Sequence, residues 1–451
     1  MDSPPKHSLE RRWRPSMLLA AALLAAPLPA LAEPVAAPSE LRDEIADRAQ
    51  SDLRAFYRSR ENRPLWITRD GRLDPAGQAL LDLVRGAQVD GVNPRKLKFR
   101  DLDSALRRAE REPTADSLGK AEITLSKIFV AYVKASRQAG RAPMTYVGRG
   151  LEPVVPTTEA ILRAAAAAPA LEKYVAGLGW MHPLYGQLRQ AASGPLAPDQ
   201  QALIQANLAR LRAIPTDPAA RYVLIDAAGA RLWMYENGRP VGSMKVVVGK
   251  VDNQTPMMAG FLRHAILNPY WNVPTDLAQQ RIASNVLEKG IGYLRAGGYQ
   301  VMSGWGDDAR PVDPATVDWP AVASGHRKIR VRQLPGPDNF MGKVKFEFPN
   351  DLGIYLHDTP EKELMVRDER QFSSGCVRLE DAQRLGKWLF RKPLPRRVNG
   401  IEKRVDLPEL VPVYITYLTA MPQNGRIVFQ ADPYGRDRTT LATRGGESRS
   451  R

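Results

Sequence analysis

The feature that most constrains this chain is a change of hydrophobic period near residue 217. Upstream, apolar residues recur three and four apart, as in Leu41, Ile45, Leu53 and Phe56, and again in Ile123, Leu125, Ile128 and Tyr132. That is the spacing of one buried face of an α-helix. Downstream the runs shorten to Tyr222–Asp226, Arg231–Glu236 and a run ending in Lys245–Gly249, with Gly229 and Asn237-Gly238 between them. Asn-Gly between two strand-like runs is the strongest short hairpin signal, because both residues accept the positive φ of a tight primed turn. A single core rarely serves 451 residues. The expected fold is therefore α+β and multidomain, with a helical scaffold over 33–213 and a mainly β domain over 217–420, extended by 421–437.

Between Pro274 and Gln333 lies a long insertion with a helix-like stretch, Leu277 to Leu287, and turns at Gly297-Gly298, Gly304 and Gly306. A segment this long inside a β domain is expected to act as a lid or substrate-capping subdomain, here 274–333. The last residues, 438–451, are charged and aperiodic and are expected to be disordered.

The N-terminus points to export. Arg11, Arg12 and Arg14 precede an apolar run from Met17 that ends in Ala30-Leu31-Ala32, a small-x-small cleavage signal. The run is about 16 residues long and contains Pro27 and Pro29, too short and too broken to span a bilayer comfortably. Residues 1–32 therefore read as a signal peptide, with the periplasm as destination and no stable membrane span after cleavage.

The formal net charge is +16, which suits an anionic partner. No zinc-finger spacing, basic heptad region or aromatic RNA-binding signature is present, so nucleic acid is not the expected one. Phosphate loops, dinucleotide fingerprints, His-Glu-x-x-His and Gly-x-Ser-x-Gly are also missing, and no metal or organic cofactor is indicated.

The chain has one cysteine, Cys376, in the run Phe372-Ser-Ser-Gly-Cys-Val-Arg-Leu379. In an exported chain a lone cysteine forms no internal disulfide, so it is either buried filler or a working thiol. Just upstream, Ile354 and Leu356 alternate with Tyr355 and His357, which puts the tyrosine and the histidine on one face of a strand. Leu379, Ala382, Leu385, Trp388 and Leu389 follow helical spacing, so Gly375-Cys376 is expected on the turn just before a helix.

A helix N-terminus and Arg378 would favour a thiolate there, with Glu380 and Asp381 opposing. A thiol that attacks an acyl carbon needs a base, oxyanion donors and a group to orient the base. Among the five histidines, His357 is the best placed base; His7, His182, His264 and His326 lie elsewhere. The N–H groups of Cys376 and Gly375, with the Tyr355 hydroxyl, are the expected oxyanion donors, and Asp358 or a backbone carbonyl the expected orienter. Neither Ser373 nor Ser374 has a nucleophile-elbow context.

The run from His357 to Ser373-Ser374-Gly375-Cys376-Val377-Arg378, with cysteine 19 positions after histidine, resembles the signature of the L,D-transpeptidase (YkuD-type) domain. Val246-Val-Val-Gly249 with Gln254-Thr255-Pro256, the segment Asn268–Pro274, Arg63–Trp66 and Asp90-Gly91 are similar to the larger, periplasmic YcbB-like branch. The resemblance implies a β-sandwich catalytic domain, a lid and a helical scaffold. It also implies acyl transfer on peptidoglycan stem peptides: attack on the bond after the third residue, a diamino acid, release of D-alanine, and transfer to an acceptor amine. By carry-over Cys376 is the nucleophile and His357 the base. Tyr355, Ser374, Gly375 and Arg378 line the donor site, with Trp271 at the lid border. The separate peptidoglycan-binding module common in that branch has no room between Leu203 and Arg221. Hydrolysis by the same fold and a noncatalytic wall-binding scaffold are the alternative readings.

Overall fold

The structure is a computed structural model that describes residues 39–395 and 398–437. The expected signal peptide and the charged tail from 438 onward lie outside the described residues. Among those described, no helix is long and apolar enough to cross a membrane.

The N-terminal half is helical, as its periodicity predicts, and is organised around the 24-residue helix Ala115–Gln138. Thr114 starts that helix by accepting the Ser117 N–H while the Ser117 side chain accepts the Thr114 N–H, a capping box. Around the helix Trp66, Phe129 and Trp180 meet edge to face, successive ring centroids 5.3 Å apart. One strand interrupts the helices, β1 (Thr145–Val147). It leaves the helical half and joins the sheet of the C-terminal half.

That sheet begins with the hairpins foreseen from sequence: β2 (Arg221–Asp226), β3 (Arg231–Glu236) and β4 (Arg239–Gly249). Asn237 and Gly238, both with positive φ, turn β3 into β4. It continues through β5 (Met258–Leu267) and, beyond the insertion, β9 (Val344–Glu347), β10 (Leu356–His357), β11 (Gln371–Ser373), β12 (Val377–Leu379) and β13 (Lys403–Thr416). Within the insertion lie β6 (Trp271–Val273), β7 (Tyr299–Met302) and β8 (Arg330–Gln333).

The main ladder runs β5-β13-β2-β3-β4-β12-β10-β9, and β9 pairs again with β5, so the two layers of the sandwich are joined into a closed ring. Val246, Val248, Leu356, Val377 and Val413 fill its interior, sealed by the helix Ala382–Phe390. β6, β8 and β7 form a separate three-stranded sheet with its own apolar cluster, including Ile282, Val286, Leu294, Val301 and Val331.

The two halves share a core. Tyr222, Leu224, Tyr235 and Tyr414, on one face of the sheet, are continuous with the apolar interior of the helices. Tyr222 stacks on Tyr235 at 4.6 Å, and its hydroxyl meets His182 Nε2 at 2.9 Å. Asn207 donates to the Thr419 hydroxyl, and Arg210 pairs with Asp437 at 2.7 Å, all four residues buried. The helix Pro198–Arg212 leads into β2 with no intervening module.

Candidate active site

β10 lies between two partners and so collects side chains from three strands. It pairs in parallel with β12, Leu356 opposite Val377 and His357 opposite Arg378. It pairs antiparallel with β9, Leu356 opposite Phe346 and His357 opposite Lys345. Leu356, Val377 and Phe346 are completely buried in the interior, so His357, Arg378 and Lys345 share the opposite face. The alternation carried back one pair, where the Val377 N–H donates to the Tyr355 carbonyl at 2.9 Å, adds Tyr355 and Cys376 to that face.

The Ser373–Cys376 turn is held from inside. The buried Ser373 hydroxyl donates to the Cys376 carbonyl at 2.6 Å and accepts the Gly375 N–H at 3.1 Å. Gly375 has φ +110°, and a Cβ there would stand 3.2 Å from Ile354 Cδ1, so the position requires glycine. Thr255 braces the turn, its hydroxyl donating to the Gly375 carbonyl and accepting the Gly249 N–H, both at 2.8 Å. The Lys250 N–H donates to the Ser373 carbonyl at 2.9 Å.

Two expectations are corrected here. Cys376 does not precede a helix: β12 follows it, and the helix Ala382–Phe390 starts later, capped by Asp381. Leu379 fits the helical period but is the last residue of a strand. The sulfur therefore sits away from a helix dipole. The Gly375 N–H is not a free oxyanion donor either, since Ser373 accepts it. The Cys376 N–H has no protein acceptor among the described residues.

Cys376 is partly exposed, its thiol directed at the Gly353 carbonyl at 3.4 Å. Burial pushes the thiol pKa up, against the smaller opposing effects of a Tyr355 main-chain bond, Arg378 and Lys345. Burial, reinforced by Arg378, brings His357 down to about 3. The resting site thus holds a neutral thiol and a neutral imidazole rather than an ion pair. His357 Nδ1 lies 2.6 Å from the Asp358 carbonyl, and because a carbonyl only accepts, Nδ1 carries the proton and Nε2 the lone pair. The His357 ring is therefore held by the backbone, and the Asp358 carboxylate is taken by Lys362 and the Lys343 N–H.

Arg378 forms an ion pair with Glu361 and lies 6.0 Å from the Phe340 ring centre. Trp271, on β6, packs at a tilt against Phe340, ring centres 4.7 Å apart, so it reaches the site through Phe340. Ser374 is exposed at the tip of the turn. Burial raises the Tyr355 pKa and keeps the hydroxyl protonated. Lys345, Glu361 and Phe340 were not singled out from sequence. The alternation in Val344-Lys-Phe-Glu347 shows that Lys345 and Glu347 share a face, but nothing local says which strand lies beside them.

Residues 220–398 match the L,D-transpeptidase catalytic domain family (YkuD), and residues 51–191 match the scaffold domain family. A Haemophilus influenzae protein named as a candidate L,D-transpeptidase is 34% identical over 239 residues, covering 51% of this chain and 47% of its own length. The chain thus spans about half the length of the curated relative it matches. Among solved structures, the L,D-transpeptidase from Mycobacterium smegmatis is 11% identical over 44% of this chain and 58% of its own, with a TM-score of 0.22. The Ldtfm-avibactam carbamoyl enzyme is 11% identical over 45% of this chain and 51% of its own, TM-score 0.23.

Proposed function

We propose, from the premise that residues 220–398 form a YkuD-type L,D-transpeptidase catalytic domain, that the chain remakes peptide cross-links in peptidoglycan through an acyl-enzyme on Cys376. The observation that carries this reading is the neutral His357, fixed at Nδ1 by the Asp358 carbonyl, on the same sheet face as Cys376 one strand away.

In this mechanism Cys376 Sγ attacks the carbonyl of the third residue, a diamino acid, in a donor tetrapeptide. The thiol proton passes to His357 Nε2 as the S–C bond forms. The Cys376 N–H and the Tyr355 hydroxyl receive the oxyanion. Collapse breaks the C–N bond, and the imidazolium returns its proton to the departing D-alanine amine. An acceptor amine then attacks the thioester, His357 removes its proton, and the thiol is regenerated as the cross-link forms.

A neutral pair suits this sequence, because the base takes the proton only when the nucleophile needs to lose it. Tyr355, Ser374, Gly375 and Arg378 are assigned to the donor site, with Trp271 behind Phe340, and the subdomain 274–333 is assigned as a lid. The periplasm is the proposed location, where stem peptides are found, and the +16 charge suits an acidic polymer.

Incubation of the protein with tetrapeptide muropeptides tests the reading by mass spectrometry of the products. Cross-linked dimers with free D-alanine are expected. Monomeric tripeptides alone would assign hydrolysis instead, and unchanged substrate would leave a wall-binding role.

A further inference from the structure

The sulfur lacks a helix N-terminus, so positive charge near it has to come from side chains. Across this face the ladders place His357 beside Lys345 and, two pairs further along β9, Glu347 beside His264 of β5. Lys345 Nζ lies 5.1 Å from the centre of the Tyr355 ring, and Tyr355 is the cross-strand neighbour of Cys376. The lysine side chain is only 12% exposed. Its counter-ion is anchored: Glu347 takes Lys345 with one carboxylate oxygen at 2.6 Å and His264 Nε2 with the other at 2.7 Å. A carboxylate held at both oxygens cannot swing freely, so the ammonium stays with its positive charge towards Tyr355.

We infer that Lys345, tethered by Glu347 and His264, is a positioning residue whose ammonium stabilises negative charge developing on the Cys376 sulfur during acyl transfer. The inference rests on the reading of Cys376 as nucleophile. Such a cation acts at short range through a poorly hydrated medium, where its field is much less screened than in water. The other charged or titratable groups facing this region are Arg378, His357, Tyr355 and Glu347, and each cation has its own carboxylate, Arg378 that of Glu361 and Lys345 that of Glu347. Lys345 thus adds, from the β9 side of this face, to the positive charge that Arg378 brings from β12.

Because Cys376 is the chain's one cysteine, alkylation of the full-length protein by the neutral reagent iodoacetamide reports a single thiol as a function of pH. Lys345→Met is expected to raise the midpoint of that profile by about one pH unit. It is also expected to slow acylation by a tetrapeptide donor roughly tenfold or more, with Lys345→Arg restoring most of both. Glu347→Gln keeps the ammonium and removes its counter-charge, so its midpoint is expected to fall. The inference is overturned if folded Lys345→Met gives the wild-type profile, or if Glu347→Gln raises the midpoint as Lys345→Met does. Should Lys345→Met fail to fold, the direction in Glu347→Gln decides. Absence of an acyl-enzyme on wild-type Cys376 sinks the nucleophile reading, whereas the alkylation profiles judge Lys345 separately.

Discussion

The Ser373 hydroxyl reaches across its own turn to the Cys376 carbonyl at 2.6 Å, and the same oxygen accepts the Gly375 N–H. One buried side chain thus sets the main chain on both sides of Gly375 and with it the direction of the thiol. Ser373→Ala removes both bonds and leaves a buried N–H and a carbonyl without that partner. A stability loss of about 1–3 kcal/mol is expected, with acylation slowed at least as much as the fold is weakened. Denaturant unfolding beside single-turnover acylation separates the two effects.

Thr255 does the equivalent work from outside the turn. Thr255→Val keeps the shape but removes the hydroxyl that joins the Gly249 N–H to the Gly375 carbonyl. The expected cost is again about 1–3 kcal/mol, since both groups are buried. Hydrogen exchange at Gly249 should quicken in this variant, and unchanged exchange would remove Thr255 as the brace.

The pH dependence of stability has a defined sign. His182 and His357 are both brought to about 3 in the folded chain, His182 by burial and His357 by burial and Arg378, against an ordinary value of 6.5. Between those values the unfolded chain binds the protons and the folded chain does not. Their contribution is therefore fully present above about pH 6.5 and is lost as pH falls towards 3. At His182 the reason is visible: Nδ1 accepts the Leu184 N–H while Nε2 meets the Tyr222 hydroxyl, so an added proton has no place. His182→Gln is expected to flatten the acid loss of stability by an amount on the order of a few kcal/mol. Denaturant melts at pH 7 and pH 4.5 on both proteins measure it, and equal slopes would contradict the assignment.

Among the described residues Trp271 meets Phe340, whose ring lies 6.0 Å from Arg378, and its proposed role is with substrate rather than with chemistry. Trp271→Ala is expected to raise KM for a muropeptide donor severalfold, while leaving the rate of Cys376 alkylation by a small reagent within about twofold of wild type. A matching loss in both would mean that Trp271 shapes the nucleophile itself.

How much of this was readable beforehand follows from the range of the signals. His357 and Tyr355 sharing a face, the turn at Asn237-Gly238 and the glycine at 375 are local, set by alternation and backbone sterics within a few residues. The helix after Cys376 starts later than its apolar period suggests because Leu379 satisfies two periods at once, and only the pairing of β12 with β4 and β10 decides between them. The role of Ser373 as an internal clamp needs the fold of the turn. Lys345, Glu347 and His264 come together only because β9 bridges β10 and β5, a closure no local pattern announces. The joining of β1 to β5 is hidden for the same reason.

The most direct measurement of the central claim is the intact mass of the protein, followed by peptide mapping, during rapid-quench reaction with a tetrapeptide donor. The account predicts a thioester adduct equal to the donor less D-alanine, located on Cys376, absent in Cys376→Ala and formed at least about a hundredfold more slowly in His357→Gln. Turnover without any adduct on Cys376, or turnover preserved in Cys376→Ala, would contradict it.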